Sequence, residues 1–233
     1  MSPSGNDKTH LFELDLATRA FKMPMDRGGD GFSIRVEAKM RVEAYDQDEI
    51  YVAAPLPGHD EWGGVTESTY ARVLKRWRRG EHTDLQSAET VVEIPREFMW
   101  VEAEVYTRGS TPARRRLASW SSSTLYRHRV VCYDRATREC VRLALPDAIT
   151  APYLSYFDYY IFQLHDARWG YAADSLHDSL LVCGLQELLD ASRGLQAAAK
   201  RRRLPRRGAR LIGRGRSTDL PPTLHADIVD AAE

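Results

Sequence analysis

Between Phe32 and Tyr45, apolar and polar side chains alternate without a break. Phe32, Ile34, Val36, Ala38, Met40, Val42 and Ala44 stand against Ser33, Arg35, Glu37, Lys39, Arg41 and Glu43. Successive side chains on a strand point to opposite faces, so a period of two over this length predicts one long half-buried strand. Such a strand needs partners, and the flanking sequence supplies them. Leu11 to Leu16, Phe21 to Met25 and Ile50 to Ala54 read as shorter strands, and 26–31 (DRGGDG) as the turn into the long one. Strand patterns rich in β-branched and aromatic residues recur at Thr90–Ile94, Phe98–Thr107, Thr124–Tyr133 and Glu139–Leu145. The last two form a hairpin through 134–138, and the Ser- and Arg-rich stretch 109–123 is expected to be a mobile loop.

Two regions carry a helical period instead. At 67–79, Tyr70, Val73, Leu74 and Trp77 fall at i, i+3, i+4 and i+7, with Thr66 as cap and Gly80 as stop. After Pro152, Tyr153, Leu154, Phe157, Tyr160, Ile161 and Leu164 suggest one helix, and Leu176, Leu180, Leu181, Leu185, Leu188 and Leu189 a second. The expectation is an α+β fold. Its mainly antiparallel β-sheet spans 11–145 with one inserted helix at about 67–79, followed by a C-terminal helical pair at 152–199. Residues 1–10 form a flexible N-terminus, 11–199 a single domain, and 200–233 a disordered tail, basic and then acidic.

Charge is segregated along the chain. The formal net charge is zero, yet Lys200 to Arg216 holds nine basic residues and no acid, which leaves residues 1–199 with 24 basic and 29 acidic groups. The arm contains Lys200, Arg201, Arg202, Arg203, Arg206, Arg207, Arg210, Arg214 and Arg216. Closely spaced guanidiniums grip phosphates and release counterions without a preformed pocket, so the arm predicts binding to RNA, DNA or another polyanion. A second basic face, with Lys75, Arg76 and Arg79 as its phosphate-binding members beside Arg72 and Arg78, falls on the expected helix at 67–79.

Other clusters point to weaker chemistry. Eight aromatic rings between Tyr153 and Tyr171 predict a core that also makes a homo-oligomer or protein contact. His165, Asp166, Asp174, His177 and Asp178 form two His-Asp pairs but lack the separated further ligands of an open metal site. Gly28, Gly29 and Gly31 precede a strand, so they make a turn and not a phosphate cradle. Ser121 to Ser123 lacks the Gly-x-Ser-x-Gly turn of a nucleophile elbow. Cys132, Cys140 and Cys183 show no CxxC spacing and are expected as reduced thiols. No signal-peptide layout opens the chain and no apolar run approaches the roughly 18 residues of a spanning helix, so an intracellular location, cytoplasmic or nuclear, is expected.

The reading that follows is a non-enzymatic, nucleic-acid-associated structural or assembly protein without a cofactor or metal, gripping phosphate through its arm. Its alternative is a protein–protein adaptor whose arm acts as a nuclear import signal. The third reading is a metal-dependent hydrolase built on the His-Asp pairs.

Overall fold

The computed structural model describes residues 7–106, 116–124, 127–135, 137–145, 149–156, 159–164 and 179–203. At the N-terminus, β1 (Thr9–Phe12), β2 (Leu14–Asp15), β3 (Ala20–Phe21) and β4 (Ser33–Ala38) form two short antiparallel pairs, β1 with β4 and β2 with β3. Three antiparallel meanders follow. Sheet 1 runs β5 (Arg41–Asp46), β6 (Glu49–Ala53), β7 (Val73–Arg78), β8 (Glu89–Glu93). Sheet 2 runs β9 (Trp100–Tyr106), β10 (Arg116–Thr124), β11 (Arg127–Asp134), β12 (Glu139–Arg142). Sheet 3 has β13 (Ile149–Tyr156), β14 (Tyr159–Leu164) and β15 (Leu180–Gly184), and α1 (Leu185–Arg203) closes the described chain.

Each sheet keeps its strands in chain order, and the sheets stack face on face. Tyr45, Tyr51, Ala53 and Leu74 of sheet 1 share one core with Val101, Val105 and Tyr133 of sheet 2. The opposite face of sheet 2, through Val130, Cys132 and Val141, packs on Tyr160, Phe162 and Leu164 of sheet 3, with Leu185, Leu188 and Leu189 of α1 in the same core. On the far side of sheet 1, Ile50, Val52, Val73 and Trp77 are covered by Phe32, Leu56 and Leu85, with Leu11, Met25 and Ile34 of the N-terminal segment packed alongside. The result is a layered, mostly antiparallel β structure with one helix among the described residues. Successive four-stranded meanders are the repeating unit from which β-propellers are built.

Several sequence expectations are corrected here. The long strand splits at Lys39-Met40, where the chain leaves β1's partner and starts sheet 1, so Val36, Val42 and Ala44 are exposed while Tyr45 is buried. The inserted helix at 67–79 is a turn followed by β7. Val73 to Trp77 are all buried because both faces of that strand are covered, and the apolar Val73, Leu74 and Trp77 among them fall at the spacing of a helical stripe. Thr69 sits at φ 64° in the turn, a backbone angle that no right-handed helix contains, and its N–H donates to the Thr66 carbonyl.

The C-terminal helical pair is likewise replaced. Tyr160, Phe162 and Leu164 alternate inward on β14 at period two, and only the second expected helix survives, starting at Leu185 and running past Gly194. Part of the expected loop at 109–123 is β10, whereas the hairpin of β11 and β12 forms as expected. Gly28, at φ 80°, caps a short 3-10 turn (Met25–Arg27), in keeping with the turn expected there. Cys132, Cys140 and Cys183 are free thiols. No helix among the described residues is long and apolar enough to cross a membrane.

Candidate functional site

The densest chemistry in the structure is a charge cluster buried where sheet 1 meets sheet 2. Its centre is Glu49 at the start of β6, fully buried. Burial of a lone carboxylate costs several kcal/mol, so its oxygens must be matched. Arg76 Nη2 of β7 donates to Glu49 Oε2 at 2.7 Å, and Arg135, just beyond β11, donates to the same oxygen from Nε and Nη2 at 3.1 Å each. The Tyr51 hydroxyl donates to Glu49 Oε1 at 3.1 Å. Arg76 also reaches Glu89 Oε2 of β8 at 3.0 Å, and the Tyr133 hydroxyl donates to Glu89 Oε1 at 3.2 Å. The Arg135 guanidinium lies over the Tyr45 ring, 4.9 Å from its centroid.

The electrostatics follow from this matching. Burial pushes the Glu49 carboxyl up, but the Arg76 and Arg135 guanidiniums outweigh it and hold the group below its ordinary value. Tyr51 is raised by burial and by the facing Glu49 charge, and Tyr133 is pushed up to about 12 by burial and Glu89. A carboxylate held below its ordinary range and enclosed by donors neither gives nor takes a proton near neutrality. The cluster therefore acts as an ionic clamp between two sheets.

Two further clusters tie loops to the same sheet. Arg79 donates to both Glu13 oxygens at 2.9 and 3.0 Å and to Asp48 at 3.1 Å, and its guanidinium stacks on Phe32, which fastens the N-terminal segment to sheet 1. Arg72 donates to Asp60 and to Glu93, and the backbone N–H groups of Gly64 and Trp62 donate to Asp60 as well. The Gly64 N–H and Arg72 together hold the Asp60 carboxyl down at about 2. Nearby, the Lys75 ammonium donates to the carbonyls of Gln86 and Ala88 at 3.0 and 2.9 Å, and burial lowers its pKa.

Lys75 and Arg76 are thus only 7% and 4% exposed, and Arg79 is held by Glu13 and Asp48. The basic face expected around them does not exist as a solvent-facing stripe, because the strand points these cations at its own domain's acceptors. Lys200 and Arg201 are exposed on the last turn of α1, whose backbone continues through Arg202 and Arg203. Arg206, Arg207, Arg210, Arg214 and Arg216 lie outside the described residues, as do His165, Asp166, Asp174, His177 and Asp178. Among the described residues, no group of His, Cys, Asp and Glu is placed to hold a metal. Of the aromatic cluster, Tyr160 and Phe162 are core and Tyr159 is exposed.

Sequence reasoning missed Glu49 and Arg135. Glu49 follows Asp46, Gln47 and Asp48 and reads as one more solvated turn residue. The available signal was its parity with Tyr51 and Ala53 on β6, which places it on the inward face.

No protein-family model matches the chain, and no curated protein does. Among solved structures, the chain is similar to a post-proline cleaving enzyme from Rickettsia typhi, with a TM-score of 0.66 and 18% identity over 81% of this chain and 27% of that one. The chain spans about a quarter of that enzyme's length. At this identity the likeness shows a shared fold. The expected nucleic-acid-associated assembly protein is corrected by this finding, since the fold is one that occurs within a peptidase.

Proposed function

We infer that this chain is a non-catalytic β-sheet module of a hydrolase that cleaves peptides after proline. The observation that carries this reading is the fold likeness over 81% of the chain to just 27% of a post-proline cleaving enzyme. The composition of the fold supports the division of labour. A nucleophile elbow belongs to a parallel sheet with crossover helices, whereas every named strand pair here is antiparallel and the sequence contains no Gly-x-Ser-x-Gly. The exposed surface also suits a protein partner, since large apolar side chains stand out at both ends of the stack while the cations of β7 are internally matched.

The test uses the native polypeptide that carries this sequence, captured by antibody and supplied with fluorogenic peptide amides ending in Gly-Pro or Gly-Ala. The captured material should cleave the Gly-Pro substrate at least tenfold faster, while the purified 233-residue chain cleaves neither. Native material without post-proline activity overturns the peptidase reading. Full turnover by the purified chain overturns the non-catalytic role.

A further inference from the structure

The N-terminal segment covers the outer face of sheet 1 without becoming part of it. Its strands pair among themselves, β1 with β4 and β2 with β3, and among the described residues no strand pairing links 7–38 to sheet 1. Side chains hold it down. Leu11, Met25 and Ile34 pack on the core of Ile50, Val52 and Val73. Phe32, 4% exposed, is the anchor, its ring meeting Trp77 edge-on at 5.3 Å and lying 4.7 Å beneath the Arg79 guanidinium. The Phe32 N–H donates to Glu13 Oε2 at 3.0 Å, and Arg79 and Lys22 close on the same carboxylate. A smaller tie lies beside the exit of the segment, where Asp7 accepts from the Tyr70 hydroxyl at 3.2 Å and pairs with Lys39 at 3.0 Å.

This attachment is looser than the joint between sheets 1 and 2. The side chains of Glu13, Lys22 and Arg79 are 23%, 28% and 15% exposed, whereas Glu49 is fully buried, and ion pairs open to water contribute less. Two-stranded pairs as short as β1–β4 and β2–β3 are marginal on their own, so a lifted segment loses its internal pairing as well. Beneath the segment, Trp77 Nε1 is buried without a hydrogen-bond partner, a cost that water would remove on opening. We propose that residues 7–38 form a strap that lifts from sheet 1 as one unit, turning about Lys39-Met40 while the sheets stay folded, with Glu13, Phe32 and Arg79 as its clasp. Lifting uncovers Ile50, Val52, Val73 and Trp77, an apolar strand face of the same make as those by which the sheets join one another. The strap therefore switches this face between a covered and an open state. The inference is independent of the peptidase reading, because it rests on contacts within the chain.

Native-state hydrogen exchange of the full chain at rising, subdenaturing urea tests it. The bonded amides of Glu13, Lys22 and Phe32 should exchange through one shared opening, at least tenfold faster than those of β6 and β7 and with a weaker dependence on urea. Glu13→Gln should speed the opening at Lys22 at least tenfold. Glu49→Gln weakens the sheets beneath, whether the strap is down or lifted, so it should speed β6 and β7 and leave the strap rate within about twofold. Strap amides that share the rate and urea dependence of β6 and β7 in wild type overturn the proposal, even where a variant fails to fold. So does a folded Glu13→Gln variant with an unchanged strap rate, or a folded Glu49→Gln variant whose strap speeds up as much as β6.

Discussion

Glu49 illustrates how a single side chain sets the terms for its surroundings. Three guanidinium N–H groups and one phenol converge on it, and the partner Arg76 is itself shared with Glu89. Replacing one member of such a buried network leaves the others unmatched, so Glu49→Gln should cost about 3–5 kcal/mol at pH 7 by urea denaturation. The pH dependence has a defined sign. Because the folded-state pKa lies below the ordinary 4.5, the stabilisation is present in full above that value and is lost as pH falls through the folded pKa. The gap between wild type and the variant should hold steady from pH 7 to about 5 and then narrow on further acidification. A gap that widens below pH 4 would show that Glu49 is not held ionised. Glycine matters at this scale too, since a Cβ on Gly29 would run into the Met23 carbonyl oxygen, inside the turn that leads to β4.

At the scale of elements, one hydroxyl joins α1 to the chain after β12, beside the apolar contacts of Leu185, Leu188 and Leu189 and the ion pair of Arg193 with Glu139. Ser192, 1% exposed, accepts the Ala144 N–H at 2.9 Å and donates to the Leu188 carbonyl of its own helix. Ser192→Ala takes the acceptor from the half-buried Ala144 N–H, which should cost about 0.5–1.5 kcal/mol. Amide exchange should then accelerate in α1 and at Ala144 while β6 and β7 keep their protection. The strands themselves were largely legible in the sequence. β6, β8, β9, β11 and β12 each fell within a few residues of where β-branched and aromatic runs predict them. The failures have two causes. In β7 and β14 the apolar side chains fit periods of two and of three to four alike, and only the covering of both faces of β7 and the one-sided burial of β14 decide between them, whereas β10 is so rich in Ser and Arg that it reads as a loop. The parity of Glu49 was readable in principle, but its partner Arg135 lies 86 residues away and no local pattern joins them.

For the whole molecule, sequence composition misled because it counts charges without saying what they face. The arginines and lysine of 72–79 look like a cationic stripe in sequence, yet the structure spends them on Glu13, Asp48, Glu49, Asp60, Glu89 and backbone carbonyls. The stacking of layers was equally invisible, since no local period says which face of one meander packs on the next, as Val141 does on Tyr160 and Leu74 on Val101. What the layers leave open at each end is the surface on which function is proposed above.

The anion at Glu49 has one more consequence, for how the protein comes apart. Its ligands come from β7 on one layer and from the turn after β11 on the next, so neither layer can loosen without stranding an ion in an apolar seam. Sheets 1 and 2 should therefore melt as a single cooperative unit, and in scanning calorimetry the enthalpy from the peak area should match the van't Hoff value for that pair. With Gln at position 49 the seam loses its lock, and the same trace should broaden or divide in two.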